Sequence, residues 1–174
     1  MKFWSLGMSS DRLCHLENVL SRLRQQVSSK ELTLTKTPDE DKERIKFQIA
    51  DLKKEMRPFE QEYWQILSQQ SGSIDISEQE AQVVVAEIVN QVGEIEVSSS
   101  TYSDEVLMLL KEIRDKLNQP GKSAAAKLKG VISSIPPFVG ISYEAELDTE
   151  NFLRNHFPTF TSWINRTIKK KQIL

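Results

Sequence analysis

Apolar residues recur along the first seventy positions at the spacing of a coiled coil. Leu13, Leu16, Leu20, Leu23 and Val27 are separated by alternating steps of 3 and 4 residues. This run predicts a helix with one apolar stripe, and such a helix is stable only when it packs against a partner helix. A second run has the same spacing and comprises Ile45, Ile49, Leu52, Met56, Phe59, Tyr63 and Ile66.

Capping residues set the boundaries of these two helices. Ser9-Ser10-Asp11 is a good helix start, and Thr37-Pro38-Asp39-Glu40 is typical of a capping box with proline at the first helical position. The second helix then covers residues 37–70. Pro58 should kink it, but the heptad phase continues across the proline, which favours one bent helix. Because the connection is short and polar, we predict an antiparallel coiled-coil hairpin over residues 10–70.

The following segment, after the polar stretch Gln69–Ser73, has a mixed pattern. Ser77 and Glu80 resemble a capping box for a helix that Gly93 would stop. Within residues 81–92 the Val83-Val84-Val85 run also permits a strand. Ile74–Ile76 and Ile95–Val97 alternate briefly, as short strands do.

The C-terminal part predicts further short elements. Ser103 caps one helix, and another runs from Ser123 to Ile135, where Pro136-Pro137 should stop it. Alternation over residues 139–147 favours a strand without excluding a helix. Asp148 or Thr149 caps a short helix, and a last helix carries Phe160, Trp163, Ile164 and Ile168. The predicted fold is mainly α: the hairpin, then a small helical module over residues 73–171 with room for a short β element.

Composition narrows the class of protein. Of 174 residues, 39% are apolar and 28% charged, which is ordinary for a globular protein. The net charge of −2 lacks the positive excess of a nucleic-acid binder. The single cysteine, Cys14, excludes an internal disulfide and fits a reducing compartment. No apolar stretch is long enough to span a bilayer. The apolar run within the first eight residues is too short for a signal peptide. We therefore expect a cytoplasmic protein.

Motifs for catalysis, metals or cofactors are weak. Gly121-Lys122-Ser123 resembles the end of a phosphate-binding loop, but Lys116 stands where that loop needs a glycine, which favours a plain turn. Cys14 and the adjacent His15 point about 100° apart on a helix and cannot chelate together. The sequence predicts no catalytic centre, no metal site and no cofactor.

Two charged segments remain as candidate partner-binding sites. The first has acidic residues at every second position, which on a strand would form one row of carboxylates. Such a row could bind a basic partner, although a face that is simply exposed to solvent is the plainer interpretation. These acidic residues are Glu144, Glu146, Asp148 and Glu150. The basic C-terminal end could contact anionic lipid, but such residues more often complement a helix dipole. This end comprises Arg166, Lys169, Lys170 and Lys171.

Two stretches resemble known bacterial sequences. Residues from Asp11-Arg12-Leu13 through Leu67, with the Thr37–Glu40 turn and Ile49-Ala50-Asp51-Leu52-Lys53-Lys54-Glu55, resemble effector-associated helical domains. Those domains occur at the ends of large NTPases and of caspase-like or trypsin-like proteins in cyanobacteria and other multicellular bacteria. The stretch from about Asp104 to Trp163, including residues 117–129 and 142–150, is similar to a C-terminal region of cyanobacterial conflict and signalling proteins.

The resemblance implies a non-enzymatic adaptor that couples a sensor to an effector in bacterial immunity, programmed death or signalling. Its partner would be a protease-like or NTPase effector, or further copies of the chain. The alternative is a membrane-associated effector that uses the basic C-terminal helix, for which the Val131–Tyr143 apolar run also argues. Nucleic acid is not an expected partner.

Overall fold

The protein is almost entirely helical. The computed structural model describes residues 2–98 and 102–169, and side chains within 10–98 and 102–167. These ranges contain no strand, so the predicted mainly α fold is confirmed and the short β element is wrong. The elements are α1 Lys2–Lys36, α2 Asp39–Ser71, α3 Glu78–Val97, α4 Asp104–Leu117, α5 Ala124–Glu144, α6 Thr149–His156, α7 Pro158–Trp163 and a π-helical turn Ile164–Lys169.

The chain divides into two compact units, Met1–Tyr63 and Trp64–Leu174. The boundary falls inside α2, a few residues before the polar Gln69–Ser73 segment. The first unit therefore contains α1 and most of α2. The second contains the end of α2 and all the later helices.

In the first unit, α1 and α2 are antiparallel neighbours. Arg12 near the start of α1 binds Glu62, whereas Lys30 near its end binds Gln48 (Nζ to Oε1, 2.9 Å). The pairs run in opposite order along the two helices. Apolar side chains fill the seam between them, with Leu16 fully buried. The seam residues of α1 are all buried, as the 3–4 spacing indicates: Leu13, Leu16, Leu20, Leu23 and Val27.

The predicted heptad phase continues across Pro58 at one of its two positions, because Ile49, Met56 and Tyr63 are buried at intervals of seven residues. The other position shifts by one residue. Phe59 is only half-buried, while Glu60 is buried in its place. Met56 and Glu60, both buried, are four residues apart where the predicted seam has a step of three. A step of four in its place compensates for the drift of a straight α-helix relative to a heptad repeat.

The capping boxes predicted at Thr37 and Ser77 are not formed. The Thr37 hydroxyl donates to the carbonyl of Thr33 (2.6 Å), and α2 begins at Asp39. Ser77 occupies the N-cap position of α3 without a side-chain capping bond. At both starts, acidic side chains in the first turn complement the helix dipole instead. Ser103, by contrast, caps α4 as predicted, and Ser123 caps α5.

Two predicted helix stops in the second unit are wrong for the same reason. Helix α3 continues through Gly93 because Ile95, on its buried face, is 2% exposed. Helix α5 continues through Pro136-Pro137 to Glu144, with Ile135 buried before the prolines and Phe138 buried after them. Burial on both sides of a breaker outweighs the local cost of a glycine or a lost backbone bond. The two segments for which the sequence allowed either strand or helix are therefore settled as follows: residues 81–92 are helical, and of residues 139–147 the part up to Glu144 is helical and the rest is a turn.

Helix α5 lies at the centre of the second unit. It packs against α3 and α4, and α7 packs against α3 and α6. Aromatic rings extend this core: Phe152 of α6 contacts Phe138 of α5 (ring centroids 5.4 Å apart) and Phe157 (5.9 Å). Trp64 stacks on Phe160 with centroids 6.4 Å apart.

Candidate interaction surfaces

The acidic segment, residues 144–150, is not a strand, so its carboxylates do not form the predicted row. Glu144 ends α5, Glu146 lies in the turn that follows, and Asp148 caps α6 by accepting from the Asn151 amide (3.2 Å). Glu150, in the first turn of α6, is ion-paired with Arg154. Glu144, Glu146 and Asp148 are exposed. The segment therefore presents acidic side chains from a turn rather than from one face of a sheet.

Glu146 has an unusual backbone conformation. Helix α5 ends in a Schellman motif: the Leu147 amide donates to the Ser142 carbonyl (2.8 Å), and the Glu146 amide donates to the Tyr143 carbonyl (3.2 Å). The motif puts Glu146 at φ 58°, in the left-handed region that favours glycine. A charged, exposed residue thus occupies a position where glycine would be less strained.

The predicted basic end lies only partly within the described residues. Arg166 is exposed on the π-helical turn Ile164–Lys169. The side chain of Lys169 and the whole of Lys170 and Lys171 lie outside the described part of the chain. In that part, no helix combines the length and apolar character needed to cross a membrane.

Two glutamates of α3 act as caps for other helices. Glu87 accepts three backbone bonds, from the Thr159 amide (3.1 and 3.0 Å) and the Phe160 amide (3.2 Å), at the start of α7. Glu78 accepts from the Ala124 and Ala125 amides (2.7 and 3.1 Å) at the start of α5. These bonds hold the pKa of Glu78 below its usual value. Both carboxylates satisfy amides that a helix start leaves unpaired.

The Gly121-Lys122-Ser123 segment is a turn between α4 and α5, as the sequence predicts. Gly121 has φ 87°, and Ser123 accepts from the Ala126 amide (3.2 Å). The two preceding amides of α5, those of Ala124 and Ala125, are bonded to Glu78. The amides that would hold a phosphate are thus already bonded within the chain.

A serine and a lysine approach each other between α4 and α5. Lys116 Nζ donates to Ser134 Oγ (3.4 Å), and Ser134 Oγ in turn donates to the Gly130 carbonyl (3.0 Å). A nucleophilic serine needs a base that accepts its proton. Here the serine proton points at a backbone carbonyl and the lysine is a donor, so the pair links two helices.

A tyrosine and a histidine are bonded beside the aromatic core. Tyr102 Oη lies 2.8 Å from His156 Nε2, and the His156 ring packs on Phe152 with centroids 4.6 Å apart. Burial lowers the pKa of His156, and the negative charge of Glu94 opposes this effect in part. The pair connects Tyr102, two residues before α4, to His156 at the end of α6.

Metal ligands do not cluster in the described residues, where no group of three His, Cys, Asp or Glu side chains could hold an ion. Cys14 is a free thiol on the exposed side of α1. His15 follows it and is also exposed.

One surface that the sequence pattern did not predict lies on the side of α2 opposite its seam. Phe47 is 69% exposed there, while Ile45 and Ile49, two residues away on either side, are 6% and 8% exposed. The helical spacing could have indicated this surface, because Phe47 lies midway between two seam positions and therefore points away from the seam.

Comparison with protein-family models, with curated proteins and with solved structures found no match to this chain.

Proposed function

We propose that this protein is a non-enzymatic adaptor that binds another protein through the acidic segment, residues 144–150. The observation that carries the proposal is the backbone of Glu146, which holds an exposed carboxylate in the left-handed region. Backbone strain persists where the side chain is needed, so an outlier of this kind is a reason to assign a role. The polar pairs that could suggest catalysis, Lys116–Ser134 and Tyr102–His156, instead connect helices.

The partner that fits this segment has a basic surface. Glu144 and Glu146 are exposed, and a positively charged surface would approach them without displacing any core side chain. The resemblance to effector-associated domains supports a protease-like or NTPase effector, with the adaptor linking it to a sensor in a bacterial immune, programmed-death or signalling pathway. Binding of this kind depends on exposed charges and therefore weakens as salt rises.

The test is capture of partners from an extract of the source cells on the immobilised full chain, followed by mass spectrometry. The expected result is one enriched protein with a protease-like or NTPase domain. Its binding should be lost on Glu144→Lys with Glu146→Lys. The matched control is Glu112→Lys with Asp115→Lys, which reverses two exposed carboxylates of α4 and should leave binding unchanged.

A second variant separates binding from folding. Glu146→Gly removes the carboxylate but relieves the backbone, so it should stabilise the fold and still weaken capture of the same protein. Capture that is equal for the wild type and the acidic-segment variants would contradict the proposal. So would an enriched protein that binds the α4 control variant poorly.

A further inference from the structure

Helix α2 carries a large apolar side chain that its own unit does not bury. Phe47 is 69% exposed, and Ala50, one turn further along, is exposed as well. An aromatic side chain contributes strongly to binding when a partner covers it, and it gains little when it stays in water. Phe47 and Ala50 therefore form the apolar centre of a face that packing within the chain does not explain.

Charged residues surround this centre in a particular order. We define the outer face of α2 by six exposed residues that recur at steps of one to four along the helix: Glu40, Arg44, Phe47, Ala50, Asp51 and Lys54. The face is about 21 Å long at 1.5 Å per residue. On this face Glu40 and Arg44 precede Phe47, and Asp51 and Lys54 follow it. When the face is placed against a second copy that runs in the opposite direction, each acidic residue meets a basic one.

This symmetry determines which partner fits. If a second copy of α2 lies antiparallel, with the two-fold axis beside Phe47, Glu40 of each copy faces Lys54 of the other. In the same arrangement Arg44 of each copy faces Asp51 of the other. Both pairs form twice and attract. A parallel arrangement would set Arg44 against Arg44 and Asp51 against Asp51, which repel.

Two neighbouring residues, Ala50 and Glu43, also fit the antiparallel arrangement. Ala50 is small and leaves room for Phe47 of the second copy, as a hole receives a knob in a coiled coil. Glu43 lies on the same side as Ala50 and would face Ala50 of the second copy rather than a like charge. Within one chain, Glu43 is ion-paired with Lys46 (3.4 Å).

We propose that the outer face of α2 binds a second copy of this chain, antiparallel and centred on Phe47. The interface is short, so it belongs with weak interfaces, and we expect a dimer with a Kd in the micromolar range. The dimer needs no other protein, so this proposal stands apart from the adaptor function and its partner.

The first test is sedimentation velocity of the purified full chain across a micromolar concentration series. The wild type should pass from monomer to dimer. Phe47→Glu should raise the Kd at least about a hundredfold, because two phenylalanine contacts are lost. The matched control is Leu32→Glu, which changes a 62% exposed leucine of α1 and should leave the dimer unchanged. Circular dichroism checks that both variants are folded.

Charge reversal tests the orientation. Arg44→Asp replaces two attractive pairs by two repulsive ones and should raise the Kd about tenfold. Adding Asp51→Arg on the same chain restores attraction only in the antiparallel arrangement, so the double variant should dimerise as the wild type does. A wild type that stays monomeric, a dimer that tolerates Phe47→Glu, or a double variant that stays weak would each overturn the proposal.

Discussion

The two units bury their apolar residues in different ways. The first unit uses one seam between two helices, in which Leu16 and Leu20 are buried and the outward positions are left to solvent. In the second unit α5 packs against two other helices and buries Ile132, Phe138 and Val139. In a pair of helices, whole helix faces therefore remain exposed and can bind a partner. In a packed helical core, the exposed parts are mainly turns and helix ends, such as the acidic segment.

The largest expected effect is the loss of a buried ring from the core of the second unit. Phe138→Ala should destabilise it by about 3–5 kcal/mol, because a buried ring in contact with Phe152 is removed. Leu23→Ala, at a seam position that is 6% exposed, should cost about 2–3 kcal/mol in the first unit. Amide hydrogen exchange with mass spectrometry measures both. The comparison fails if Leu23→Ala is the more costly change, or if either change reduces protection equally across residues 10–167.

A smaller effect distinguishes the two glutamate caps in the second unit. Glu87→Ala leaves the amides of Thr159 and Phe160 without their acceptor, and these bonds are partly buried, so a loss of about 1–3 kcal/mol is expected. Glu78→Ala should cost less, because water can replace an exposed carboxylate at Ala124 and Ala125. Urea denaturation gives both values, and the reverse order would show that exposure does not set the cost of these caps.

Glu146→Gly should stabilise the second unit by about 1 kcal/mol. Glycine adopts φ 58° without the clash that a side chain meets there, and both bonds of the Schellman motif are backbone bonds that remain. Thermal unfolding detects the gain as a higher Tm. Gly is less favourable than other residues in helices, so Ala145→Gly, one residue earlier, is the control and should not stabilise. A lower Tm for Glu146→Gly would contradict the strain assigned to this position.

Acidification should affect the second unit before the first. The pKa of His156 in the folded state lies below its ordinary value of 6.5, so its contribution is complete above that pH and is lost as the pH falls toward the folded pKa. The hydrogen bonds from Arg12 lower the pKa of Glu62 from 4.5, so that contribution persists above pH 4.5 and disappears only as the pH falls through the folded pKa.

Hydrogen exchange, corrected for the intrinsic effect of pH, can test this order. As the pH falls below 6.5 but stays above 4.5, amides of the second unit should lose protection while those of the first keep it. His156→Gln removes the titrating group and should flatten the response. Earlier loss in the first unit, or an unchanged response in the variant, would show that His156 does not set the acid sensitivity.

The sequence pattern predicted the first unit better than the second. The 3–4 spacing identified the buried residues of α1 because a two-helix seam depends on local periodicity alone. It failed at Glu60, where a charged residue takes an inward position opposite Arg24 (3.8 Å). Periodicity assigns apolar residues to the seam and gives no reason to expect a buried carboxylate there.

In the second unit, long-range packing overrides the local signals. Gly93 and Pro136-Pro137 read as stops, but helices on several sides bury the residues around them. The carboxylates of Glu78 and Glu87 bind helix starts 46 and 72 residues away in the sequence, at Ala124 and Thr159, which no local motif predicts. For the candidate sites, the sequence located the acidic residues but not the turn that presents them, and it overlooked Phe47.

The central claim is that the outer face of α2, which takes no part in the seam, binds a second copy through complementary charges. The most direct measurement is sedimentation velocity of Arg44→Asp and Asp51→Arg, each alone and then mixed one to one. Each variant alone should be largely monomeric, because its copies repel. The mixture should form a dimer in which both contacts between position 44 of one chain and position 51 of the other are attractive again. A mixture that remains as monomeric as its components would contradict the claim.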